Sequence, residues 1–142
     1  MRPIRATLLV LLCAAMFVES VAWGEDGIYL APGTGVPNVL QIGERRKAAQ
    51  PGAWQTDPRA AGVEYQTTPE GVVVVVRCKT RQCVTAQAIR VGSPEADVVR
   101  RYGAPHSQTK TADGVYYEYS GVGFEIAGGA VLRIYAFPMM RR

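Results

Sequence analysis

The sequence predicts an α+β fold, in which an antiparallel sheet carries a short helix packed on one face. Short runs rich in Val, Ile, Tyr and Phe alternate with turn residues, and the 142-residue chain holds 15 Gly and 9 Pro. One segment, 94–102, has both the start and the stop signals of a helix. With 48% hydrophobic and 20% charged residues, the composition is that of a globular domain rather than a disordered chain.

The N-terminus has the organisation of a secretory signal peptide. A basic start precedes the apolar stretch Ala6–Val18, which is too short for a membrane anchor, and the small residues Ser20 and Ala22 follow at the spacing that a signal peptidase reads. We therefore predict a signal peptide at 1–22 and a single α+β domain at 23–142. The predicted location is periplasmic or secreted, with no stable membrane insertion after cleavage.

The charge of the remaining chain excludes some classes of partner. Cleavage after Ala22 leaves 120 residues with 14 basic and 11 acidic side chains, a net charge of +3. This excess is small and is not clustered as in nucleic-acid-binding domains, so no nucleic-acid partner is predicted. The chain has a single histidine, His106, which disfavours a metal site built from several histidines. No metal or other cofactor is predicted.

The two cysteines that remain after cleavage, Cys78 and Cys83, are predicted to form a disulfide, because an exported chain meets an oxidising environment. Four residues separate the β-branched run 71–78 from a second strand candidate, 83–91, which suits a β-hairpin with the cysteines facing each other. The alternatives are a redox pair and a metal site. A redox pair is usually Cys-x-x-Cys at a helix N-terminus, and zinc would need two further ligands.

The C-terminal half predicts one helix followed by a three-stranded meander. Ser93 suits the N-cap and Pro94 the first position of helix 94–102, and Gly103 then ends it. The predicted strands are 115–119, 122–126 and 130–137. The predicted core consists of Phe124, Ile126, Leu132 and Ile134, with Tyr117 and Val99 packed against them.

A family resemblance is carried by the string Ile89-Arg-Val-Gly-Ser-Pro-Glu-Ala-Asp-Val-Val-Arg-Arg-Tyr-Gly-Ala-Pro105 and by the later Tyr117-Glu-Tyr and Gly123-Phe-Glu-Ile126. This half of the chain resembles the helix-plus-sheet module of SmpA/OmlA-type outer-membrane assembly lipoproteins and of β-lactamase-inhibitor-like proteins. The resemblance covers about 50 of the 142 residues and implies a helix-then-sheet layout. The lipobox of the assembly lipoproteins is missing, so membrane anchoring is not implied. Nothing matches a known inhibitory loop, so no target is implied.

Two short similarities within the chain allow a second description of its organisation. Leu40-Gln-Ile-Gly43 is similar to Ile89-Arg-Val-Gly92, and Gly62-Val-Glu-Tyr65 is similar to Gly114-Val-Tyr-Tyr117. They suggest a degenerate tandem of two helix-plus-sheet modules, at 36–85 and 87–137. The alternative is one domain whose N-terminal half adds strands to the same sheet.

The sequence predicts no catalytic residues. His106 and Asp113 share the predicted loop 104–114, but the chain has neither a Gly-x-Ser-x-Gly elbow nor a His-Glu-x-x-His motif. Glu118 and Glu125, on neighbouring strands, are interpreted as part of a solvated face.

The candidate contacts with a partner are Trp54, Tyr116 and His106. We therefore expect an exported, non-catalytic protein-interaction module of the cell envelope, whose partner is another envelope or secreted protein. One alternative is a small secreted hydrolase or ligand-binding protein that uses the His106 loop. A further alternative is a structural scaffold protein of the envelope.

Overall fold

The computed structural model describes residues 27–47 and 50–139, and the predicted signal peptide, 1–22, lies outside the described residues. Among these described residues the strand content is 42% and the helix content 7%, so the fold is β-rich and the predicted α+β class is wrong. The structure has more strands than the sequence predicts, because several short segments without an alternating hydrophobic pattern pair with neighbouring strands through their backbones.

Within the described residues the elements follow in this order: β1 Ile28–Tyr29, β2 Gly35–Val36, β3 Leu40–Gln41, β4 Gln55–Thr56, β5 Val63–Thr67, β6 Val73–Cys78, β7 Cys83–Val84, α1 Glu95–Tyr102, β8 Ser107–Lys110, β9 Val115–Glu118, β10 Val122–Ala127 and β11 Ala130–Ala136. Seven of these strands form one antiparallel sheet in the order β4-β5-β6-β11-β10-β9-β8. This sheet takes strands from both halves of the chain. β1 pairs with β7 in parallel, and β2 pairs with β3.

One face of the large sheet is apolar and forms the core. The strand registers align Val63, Cys78, Ile134, Phe124 and Tyr117 across five strands, so these side chains share one face. Leu30, directly after β1, is buried in the same cluster, as are residues from β2, β3, α1 and the loop after β7. Burial of each large apolar side chain contributes roughly 1.5–3 kcal/mol, which stabilises these short elements against the sheet.

Helix α1 begins at Glu95, and the residue that it buries differs from the prediction. Val98 is fully buried, whereas Val99, the predicted core residue, is 41% exposed. Adjacent helical residues point about 100° apart, so only one of the two can face the sheet. Ser93 does not cap the helix, because its Oγ accepts a hydrogen bond from the Arg90 backbone N–H instead.

A β-bulge explains a second error in the predicted core. Glu125 pairs with Arg133 but Ile126 pairs with Val131, so the register shifts and Leu132 has no partner in the ladder. Val131 is therefore buried in place of the predicted Leu132, which is half-exposed. The predicted core positions at 117, 124, 126 and 134 are buried.

A disulfide joins Cys78 and Cys83, whose Cα atoms lie 6.3 Å apart. The predicted hairpin around it is wrong. Cys78 pairs with Val63 on one side and Ile134 on the other, so β6 has no free edge for the segment 83–91. Only Cys83–Val84 of that segment is a strand, and it pairs in parallel with β1.

Candidate interaction surface

The second face of the large sheet carries charged and aromatic side chains. Because side chains alternate along a strand, the residues between the core positions of β5, β6, β9, β10 and β11 point to this side. We call it the polar face, and it includes Glu64, Arg77, Tyr116, Glu118, Glu125, Arg133 and Tyr135, together with Trp54, which directly precedes β4.

Three rings form a row across the polar face. The ring centroids of Trp54 and Tyr135 lie 6.1 Å apart, and those of Tyr135 and Tyr116 lie 5.4 Å apart. Both pairs have edge-to-face geometry, which is favourable for aromatic rings. We call these three residues the aromatic row. Two of the three partner contacts predicted from the sequence, Trp54 and Tyr116, therefore both contact the ring of Tyr135.

The position of Tyr116 depends on a glycine. The Tyr116 ring lies directly over Gly123 of β10, and a methyl group at position 123 would overlap the ring and its hydroxyl. Gly123 is paired with Glu118 on one side and Tyr135 on the other. Its missing side chain leaves space on the polar face for the Tyr116 ring. Tyr116 can therefore lie flat on the sheet beside Tyr135.

Trp54 rests on a charged pair. The Arg77 Cζ lies 3.7 Å from the centre of the Trp54 ring, which is a close cation–π contact. Arg77 Nε donates to Glu64 Oε1 at 3.1 Å, and Lys79 Nζ lies 3.3 Å from the same oxygen. Burial alone would raise the pKa of Glu64, but the hydrogen bonds from Arg77 and Lys79 lower it. Glu64 therefore stays ionised although it is only 8% exposed.

Glu125 forms the second buried acidic position of the polar face. It is 5% exposed, which corrects the interpretation of this residue as part of a solvated face. Its carboxylate accepts hydrogen bonds from Arg133 Nη1 at 3.0 Å, Tyr135 Oη at 2.8 Å and Thr111 Oγ1 at 3.3 Å. Burial and the hydrogen bond to Glu125 raise the pKa of Tyr135. The phenol therefore remains a donor to Glu125 at neutral pH.

Two donors of the aromatic row are unused within the described part of the chain. Neither Trp54 Nε1 nor Tyr116 Oη makes a hydrogen bond to another described residue. Both atoms are in contact with solvent, since the buried side-chain atoms without a partner are Thr67 Oγ1 and Tyr102 Oη. Burial, and then the negative charge of Glu118, raise the pKa of Tyr116. Tyr116 is therefore a protonated phenol at neutral pH and can donate to a ligand.

The third predicted contact, His106, lies apart from the aromatic row. Its exposed side chain precedes β8, at the edge of the sheet, and its backbone N–H donates to Glu118 O at 2.8 Å. Asp113 follows the other end of β8 and pairs with Arg133 at 3.3 Å. The four residues of β8 span roughly 10 Å. This strand therefore separates His106 from Asp113, whereas a catalytic pair would need them within hydrogen-bonding distance.

Four members of this surface were not predicted from the sequence: Glu64, Arg77, Arg133 and Tyr135. A signal was present for the two arginines, because each is a single charge within a β-branched or aliphatic run, at 71–78 and 130–137. A strand that continues past one charged residue places that residue on the face opposite the core. The partners of these arginines depend on strand order, which the sequence did not reveal.

Metal and membrane sites are not found among residues 27–47 and 50–139. These residues contain no group of three or more His, Cys, Asp or Glu side chains that could hold a metal ion. The same part of the chain has no helix with the length and apolar character needed to cross a bilayer.

No protein-family profile and no curated protein sequence matches this chain. Among solved structures, the chain is similar to the crystal structure of the uncharacterized protein YfeY from Escherichia coli. The two are 10% identical with a TM-score of 0.47, and the match covers 78% of this chain and 99% of that chain.

Proposed function

We propose that the protein is an exported, non-catalytic protein-interaction module of the cell envelope, and that the polar face is its binding surface. The observation that carries this proposal is the aromatic row, in which one Trp and two Tyr rings are partly exposed and in edge-to-face contact, with two hydrogen-bond donors that bind no other described residue. Trp, Tyr and Arg are the residues in which protein interfaces concentrate their binding energy.

The side chains of this surface are held in place before any partner binds. Trp54 is fixed by Arg77, and Tyr135 by Glu125. Rigid aromatic groups lose little side-chain entropy on association, so more of the contact energy contributes to affinity. A location outside the cytoplasm is supported by the signal peptide predicted at 1–22 and by the disulfide between Cys78 and Cys83, since disulfides persist in oxidising compartments.

Site-specific photo-crosslinking tests this function in cells that express the protein. A benzoyl-phenylalanine placed at Thr109, an exposed position of β8 that pairs with Tyr116, is expected to yield a discrete crosslinked protein. The matched control is the same residue placed at Val99, which is exposed on α1 at the other side of the sheet. Equal products at both positions, or none at Thr109, would contradict the proposal.

A further inference from the structure

We infer that the outer edge of strand β8 binds an extended segment of the partner, which adds a strand to the large sheet. This inference rests on the proposed function and specifies the conformation and the charges of the partner. β8 is an edge strand of the sheet, and its four residues, Ser107–Lys110, are all exposed. The opposite edge strand, β4, has only two residues, so β8 is the longer of the two edges.

The backbone of β8 presents a regular row of hydrogen-bonding groups at this edge. Thr111 N donates to Gly114 O at 2.9 Å, and the pairing of β8 with β9 continues from there without a register shift. In an antiparallel pair, hydrogen-bonded residues alternate with residues whose N–H and C=O point away from the neighbouring strand. Thr109 therefore bonds to β9, whereas the N–H and C=O groups of Gln108 and Lys110 point outward.

These outward groups identify an extended peptide as the occupant. Within the described part of the chain, β9 is the one strand that pairs with β8. The donors and acceptors of Gln108 and Lys110 repeat every second residue, which is the repeat of a strand. The backbone of another strand matches this spacing, so its own N–H and C=O groups can pair with the edge.

Two unpaired charges lie beside this edge, on opposite sides of the sheet. Glu118 is paired with Ser107 and lies on the polar face, where Ser107 Oγ donates to Glu118 Oε2 at 2.9 Å. Lys110 is paired with Val115 and lies on the side that carries the core. Neither charge makes an ion pair with another described residue. A partner strand with a basic residue on its polar-face side and an acidic residue on its other side would pair both charges.

A basic side chain of the partner can reach Glu118 because Ser107 is small. Neighbouring strands are about 4.8 Å apart, so a strand added beyond β8 lies roughly 10 Å from β9. The long stem of a Lys or Arg opposite Ser107 can extend over the serine towards the carboxylate. In an antiparallel partner, the residue opposite Lys110 precedes this basic residue by three positions. The matching pattern is therefore Glu-x-x-Lys, with the two charges on opposite sides of the strand.

A second copy of this chain does not supply that pattern. If Gln108 of one copy is opposite Lys110 of the other, the two lysines become diagonal neighbours on the same side of the sheet, and like charges repel there. The β8 residues that the second copy would place on the polar face are Ser107 and Thr109. They bring no cation to Glu118, so the occupant that we propose is a segment of a different protein.

The test is a titration of the ¹⁵N-labelled protein with the synthetic peptide Thr-Val-Glu-Thr-Thr-Lys-Val-Thr, followed by NMR chemical shifts of the backbone amides. We expect saturable shifts at the amides of Gln108 and Lys110. The peptide with Glu and Lys exchanged should bind more weakly by roughly threefold to tenfold, because it brings like charges together.

Two substitutions separate the backbone contact from the charge contact. Gln108→Pro removes the outward N–H but no bond to β9, and should weaken binding by roughly threefold to tenfold, the value of one hydrogen bond. The matched control, Gln108→Ala, removes the side chain, keeps the N–H and should leave the affinity unchanged. Glu118→Gln should weaken binding by about threefold, the value of an exposed ion pair, and should not affect a peptide with Gln in place of Lys.

Several results would overturn the inference: no saturable shifts, equal affinities of Gln108→Pro and Gln108→Ala, or equal affinity for the exchanged peptide. A dimer of the free protein in sedimentation velocity that Gln108→Pro dissociates would overturn it in favour of a second copy. Urea unfolding of each variant establishes that the fold is retained. If the peptide fails to bind while the Thr109 crosslink forms, only the binding at the β8 edge is refuted; if both fail, the proposed function is refuted as well.

Discussion

Asp57 is expected to be the strongest single source of acid sensitivity in this fold. Its side chain is buried, and Arg46 Nη1 and Arg59 Nη2 lie 2.8 and 2.9 Å from its Oδ2. Both guanidinium groups also donate to the backbone carbonyl of Val39, so the cluster connects the loop before β5 with the loop before β3. The substitution Asp57→Asn keeps the size of the side chain and removes its charge.

The magnitude follows from the pKa of this carboxyl. The side chain and backbone N–H of Arg59, with Arg46, lower the pKa of Asp57 from 3.8 to about 2, although burial opposes the shift. A pKa that is lower in the folded than in the unfolded state means that the ionised form stabilises the fold above pH 4. The shift corresponds to about 2 kcal/mol, and this contribution is lost as the pH falls through the window from about 4 to about 2.

Urea unfolding of the wild type and of Asp57→Asn, followed by circular dichroism between pH 7 and pH 2, measures this effect. We expect the variant to be less stable by about 2 kcal/mol at pH 7, and the difference to fall to about half by pH 3. The control is Asp97→Asn, which breaks an exposed pair with Arg100 and should change stability by about 0.5 kcal/mol or less. A loss at pH 7 as small as that of the control, or one that is constant down to pH 2, would refute the reasoning.

Three further substitutions or treatments have defined outcomes. Gly123→Ala should lower stability by about 1–3 kcal/mol in a thermal melt through overlap with Tyr116, and should cost much less when Tyr116 is also Ala. Reduction of the disulfide that closes the loop 78–83 should cost about 2 kcal/mol or less in urea unfolding, because the loop is short. Val98→Ala should lower the free energy of unfolding by about 1–3 kcal/mol, and Val99→Ala by about 0.5 kcal/mol or less. Equal effects would contradict the orientation of α1 in which Val98 faces the sheet.

The parts of the fold that follow from local sequence were predictable. Strands β9, β10 and β11 show alternation and are separated by glycine turns, and α1 has its stop signal at Gly103. The pairing of β6 was not predictable in the same way. Its neighbours are β5 and β11, and β11 lies far later in the chain, so this pairing depends on the assembled sheet rather than on the local pattern.

Strand β8 shows the limit of pattern analysis. Its four residues, Ser107–Lys110, are all exposed and carry no apolar alternation, so the segment was predicted as a loop. Backbone hydrogen bonds to β9 make it a strand, and such bonds do not depend on side-chain type. The candidate surface was predictable to a similar degree. Trp54 and Tyr116 were identified as single residues, but their proximity depends on Tyr135, which lies between them only in the assembled sheet.

The two buried carboxylates of the polar face connect the stability of the sheet with the proposed binding. A buried charge is costly unless it is paired, and Glu64 is paired with Arg77, which in turn lies beneath Trp54. Removing the Trp54 ring would therefore expose an ion pair to water as well as delete part of the proposed binding surface. Loss of binding in Trp54→Ala would not separate these effects, whereas Tyr116→Phe keeps its ring and removes only the hydroxyl donor. A loss of binding in that variant without a change in unfolding free energy would assign the lost contact to the Tyr116 hydroxyl.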